Sequence, residues 1–190
     1  VVASSGKAAR IAQGPTGPVE PDQLSLSTTR IAGVDRRDRV TAWQRSLDNA
    51  GAETVLSTRG KEVLVSAGRT AVNATDGLRL FDQGTQVAKL ATWTAIGEMS
   101  GPYLLGNASP KAGRPTVMLG TKAIRFGSND YPLALFGSMV ASLDQGDWGI
   151  TIYDVSSGTP RVATTVAIDE FEEIGGIYLW GDDIAVSGVL

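Results

Sequence analysis

The sequence predicts a mainly β protein, made of irregular β-hairpin repeats in sandwich- or prism-like sheets that oligomerisation completes. Three observations predict it. Short runs of Val, Ile, Thr, Leu and Tyr recur between glycines, and the 190 residues hold 23 Gly and 8 Pro. Branched and aromatic side chains suit a pleated surface, and Gly and Pro punctuate it with turns. Helix-favouring runs of Leu, Glu, Lys and Ala are scarce, and three segments superpose as strand, polar turn and returning strand.

Taken in order, residues 1–12 (VVASSGKAARIA) read as a hairpin arm or the end of a strand. Positions 13–22 (QGPTGPVEPD) are too rich in Pro and Gly for a ladder or a helix, so 1–22 is an arm and linker. Residues 23–35 alternate at Leu24, Leu26, Thr28 and Ile31 and predict one half-buried strand, followed by a basic turn, Arg36-Arg37-Asp38-Arg39. Residues 40–60 fit two structures. A helix would align Val40, Trp43 and Leu47, with Asp38 as cap and Gly51 as stop. A hairpin would place RVTAWQRSL and AETVLSTR around Asp48-Asn49-Ala50-Gly51, and the strands on either side favour it. Residues 61–74 give two strand pieces, with Val63 and Val65, then Ala71 and Val72. The expected division is 1–22, 23–75 and a repeat region, 76–190.

The superposable segments are GLRLFD-QGT-QVAKL (77–90), AIRFG-SND-YPLAL (123–135) and GITIYD-VSSGT-PRVATTV (149–166). Leu78 and Leu80 share one face of their strand, as do Ile150 and Ile152 of theirs. The Asp ending the first and third strands can accept turn amides. A lone hairpin is unstable in water, so these must stack on neighbours or pair with other chains. Their starts at 77, 123 and 149 are unevenly spaced, which argues against a strict solenoid. Between them, Gly101-Pro102 precedes a strand at Tyr103-Leu104-Leu105, and Val117-Met118-Leu119 forms another. Residues 175–190 read as a last hairpin around Gly181-Asp182-Asp183, with Tyr178 and Trp180 on one face.

Composition narrows function. An apolar share of 42% excludes global disorder. There is no Cys and no His, which removes disulfides, thiolate and imidazole metal sites, and Ser-His-Asp or Cys-His catalysis. No catalytic residue, cofactor or metal is expected, and the chain reads as non-enzymatic. No apolar run approaches the roughly 20 residues that span a bilayer, so no membrane insertion is expected. A net charge of −3 argues against nucleic-acid binding. Residues 1–70 hold ten basic and seven acidic groups, and residues 121–190 hold three and ten, an asymmetry that suits head-to-tail stacking or merely uneven solvated surfaces. The start at Val1-Val2 and the strand-like end at Val189-Leu190 suggest a cut or processed chain.

Trp93, Trp148, Trp180, Tyr103 and Tyr131 are candidates for a stacking surface, with Trp148, Trp180, Tyr103 and Tyr131 as the expected partner or glycan contacts and Trp148 the most exposed. The alternative for each is a core or inter-subunit anchor. Asp169, Glu170, Glu172 and Glu173 offer oxygen ligands for calcium, yet no ligand loop surrounds them and a solvated turn explains them better.

GLRLFDQGTQVAKLA and GITIYDVSSGTPRVATTV, with KEVLVSAGRTAVNATDG and PTVMLGTKAIRFGSND, resemble repeats of the tail-tip, central-fibre and tail-fibre proteins of tailed bacteriophages. The resemblance covers about residues 40–190. It implies a virion tail component, commonly trimeric, that assembles by strand pairing with like chains and other tail proteins. It also implies host attachment through a surface glycan or protein at distal parts. The second segment departs from the pattern, with Gly127 where Asp is expected. TTRIAGVDRRDR (28–39) resembles the opening of bacterial cell-wall-binding repeats, although Arg37 stands where they have Tyr. The alternative function is a secreted bacterial β-propeller or cell-surface binding module: Gly68, Gly106, Gly137 and Gly181 each mark a mid-hairpin glycine at near-blade spacing.

Overall fold

The computed structural model describes residues 23–35, 41–47, 53–90, 93–108, 114–144, 149–168, 172–181 and 183–189. Among them every helix or strand is a strand, and all pairing is antiparallel. The chain divides into two compact units, residues 1–91 and 92–190.

In the first unit, one sheet joins β1 (Gln23–Leu26), β2 (Arg30–Asp35), β3 (Thr41–Ser46) and β4 (Glu53–Ser57) in sequence order. The single strand expected over 23–35 is therefore two. Its period-2 pattern runs through a turn, because Ser27 Oγ accepts the N–H groups of Thr29 and Arg30 and reverses the chain. Residues 41–57 form the hairpin rather than the helix, with Trp43 opposite Val55. Its turn, and Arg36, Arg37 and Arg39, lie outside the described residues, as does the 1–22 arm.

A second sheet joins β5 (Gly60–Ser66), β6 (Arg69–Ala74), β7 (Gly77–Asp82) and β8 (Thr85–Leu90). The two-residue turn Ala67-Gly68 has φ of 45° and 82°, and two positive values are what a type I′ hairpin turn requires. The first two sheets pack face to face around Ala32, Val34, Ala42, Leu56, Val63, Val65, Val72 and Phe81. The contact runs through β5 against β1 and β2. Across it Ser25 Oγ accepts the N–H of Val65 at 2.9 Å, and the buried Gln44 accepts the hydroxyl of Thr70 at 2.6 Å. Strands β6 and β7, on either side of 75/76, pair along their length, and the two compact units part at 91/92.

In the second unit, one sheet joins β9 (Ala95–Ser100), β10 (Tyr103–Asn107), β11 (Thr116–Leu119) and β12 (Lys122–Ile124). The next joins β13 (Asp130–Phe136), β14 (Met139–Asp144), β15 (Gly149–Asp154) and β16 (Arg161–Ala167), and a two-stranded sheet follows, β17 (Glu173–Trp180) and β18 (Asp183–Val189). Here β13 packs on β9 and β10, and β17 packs on β13 and β14. One core holds Leu105, Val117, Leu135, Val140 and Val155, and another holds Ala134, Ala141, Ile150, Ile152, Ile168 and Ile177. Burying each large aliphatic contributes about 1.5–3 kcal/mol.

The repeating unit is the four-stranded meander. Its first strands begin at Gln23, Gly60, Ala95 and Asp130, and Glu173 begins the two-stranded sheet. Two of the three expected repeats are equivalent: β7–β8 and β15–β16 are the outer hairpins of their sheets, in the same register against β6 and β14. The third, 123–135, is not. It runs from β12 across to β13, so it links two sheets. A strand, a polar turn and a strand look alike in sequence whether or not the strands pair. Each of these two hairpins pairs with the inner strands of its own four-stranded sheet.

Candidate interaction surface

Among the described residues the hairpin β17–β18 carries the two most exposed aromatic rings, Tyr178 and Trp180. Its alternation sends Ile177 and Leu179, with Val186 and Ile184 opposite them, inward to the β13–β15 core. Tyr178, paired with Ala185, and Trp180, paired with Asp183, share the outer face. Tyr178 is 62% exposed and Trp180 77%. Trp180 is held by Phe136 of β13, with ring centroids 5.6 Å apart and a 39° tilt. The Tyr178 ring lies over Gly176, where a Cβ would stand 3.0 Å from its hydroxyl oxygen, so glycine lets the ring lie flat. Glu172, Glu173 and Asp183 rim this face and are exposed. Small residues, Ala185, Ser187 and Gly188, occupy β18 beside the rings.

The second strands of the other sheets are interior and largely buried, as β6, β10 and β14 are. Among the described residues β18 pairs with β17 alone, and its first residues alternate between exposed and half-buried.

The other candidates sit elsewhere. Tyr103 is only 8% exposed and belongs to the core with Leu105 and Val117, so packing accounts for it. Trp93 is buried too. Tyr131 is half-buried in β13, opposite Leu143. Trp148, Asp169, Glu170 and Asp182 lie outside the described residues. Among the described residues no group of three or more acidic side chains is placed to hold a metal ion. Trp180 is thus the described candidate presented to solvent. Sequence reasoning had put Tyr178 on its face without counting it as a contact, and had passed over Phe136; the i, i+2 spacing was the available signal for Tyr178, and none existed for Phe136.

Two polar clusters are structural. Asp76 accepts from Lys89 Nζ at 2.7 Å and from Arg79 Nη2, which holds its carboxyl down at about 2 and ties the β6–β7 turn to β8. The Tyr153 hydroxyl donates to Asp130 Oδ1 at 2.8 Å, and burial first, then this carboxylate, push the phenol up to about 12. Asp154 accepts the Ser156 N–H at 2.9 Å, the Asx turn expected at that strand end.

Four-stranded antiparallel meanders, repeated along the chain and packed within each unit through their first strands, are the blades of the β-propeller class. No family model matches the chain, and no curated protein matches it in sequence. Solved structures do match in fold. Kluyveromyces lactis Hsv2 aligns with TM-score 0.56 at 16% identity, over 85% of this chain and 56% of that one. Apo AztD from Citrobacter koseri aligns with TM-score 0.53 at 14% identity, over 96% and 58%. The N-terminal domain of Nup159 aligns with TM-score 0.51 at 11% identity, over 90% and 54%. These are β-propeller proteins, and at such identities the likeness is one of fold. The chain spans little more than half the length of each.

This overturns the expectation of a virion tail-tip or tail-fibre component. The matched structures are propellers and none points to phage tails. The strand-turn-strand units that suggested a fibre are the outer hairpins of blades. Of the four glycines that suggested blades, Gly68, Gly137 and Gly181 do sit in first-hairpin turns. Gly106 lies inside β10 instead, and Gly101 takes its place in the turn.

Proposed function

We propose that this chain is a propeller-type, non-catalytic binding module that engages a partner macromolecule through the outer face of β17–β18. The exposure of Tyr178 and Trp180 side by side on one sheet face is the observation that carries it. Apolar aromatic patches rimmed by polar groups mark interaction sites on soluble proteins, and Trp and Tyr are the residues that most often dominate their energetics. The lack of His and Cys supports a role without nucleophile-base chemistry.

The test is selection of ligands from an unbiased peptide-display library on the full chain, with a Tyr178→Ser/Trp180→Ser variant as counter-target. Both side chains are exposed, so the variant retains the far-UV spectrum of the parent. Ligands that bind the parent and are lost on the variant are expected. A library that yields no ligand sensitive to these two residues overturns the proposal.

A further inference from the structure

We draw no further inference here: the strongest candidate, the outer strand β16 (Arg161–Ala167) at the edge of its four-stranded sheet with Val162, Ala163, Thr164 and Thr165 exposed, carries none because nothing in the structure shows what covers it.

Discussion

Glu98 Oε2 accepts the backbone N–H of Leu135 at 2.5 Å, tying the first strand of one blade to the first strand of the next. Two residues on, Ser100 Oγ accepts the N–H of Gly137 at 2.7 Å, and in the first unit Ser25 does the same for Val65. A first strand has one edge without a neighbour in its own sheet, and these side chains satisfy donors on that edge.

Glu98 makes this link pH-dependent. Burial raises its carboxyl above the ordinary value of 4.5, against the opposing pull of the Leu135 N–H. A raised value favours the protonated carboxyl in the folded state. Its contribution is therefore complete below the unfolded value and is lost as pH climbs through the folded one. Relative to Glu98→Gln, the melting temperature of the native protein should fall as pH rises from about 4.5. A difference between the two that stays constant with pH rules this out. Glu98→Ala strips the acceptor from a partly buried N–H and should cost about 1–3 kcal/mol at acid pH, and less as pH rises.

Gly106 and Gly101 are glycines for different reasons. Gly106 lies at a bulge between β10 and β9, where a Cβ would stand 2.5 Å from the Ala95 carbonyl oxygen and 2.7 Å from the Trp93 ring. Gly101 has open space around it and a φ of +54°. Gly106→Ala should cost about 1–3 kcal/mol, since backbone and a buried ring must move. Gly101→Ala should cost only about 1 kcal/mol, from the left-handed backbone. Urea unfolding of the two variants compares them, and the reverse order of midpoints would contradict the close approach.

Within one blade, depth in the meander decides what a branched side chain is worth. Ile150 on β15 is fully buried, whereas Val162 on β16 is open to solvent. Ile150→Ala should cost about 2–5 kcal/mol. Val162→Ala should stay within about 0.5 kcal/mol. Comparable losses in chemical denaturation would mean that β16 is covered.

The strands were legible because their cause is local. Alternation marked β5, β6, β7 and β15, and the positive-φ turns announced themselves as glycines at Gly68, Gly137 and Gly181. The same local rule failed at Ser27, where a side-chain cap bends the chain without breaking the apolar pattern. It failed again at 123–135, where two strands in succession belong to different sheets.

The sequence by itself determined a chain of short antiparallel strands without His or Cys, ending in a hairpin with Tyr178 and Trp180 on one face. Only the tertiary structure decided that β1 to β16 group in fours, that Tyr103 is core, and that Trp180 leans on Phe136. Alternation is written residue by residue along one strand. Which sheet a strand joins, and whether its apolar face is covered, depends on segments far away in the chain, and no short-range pattern carries that information.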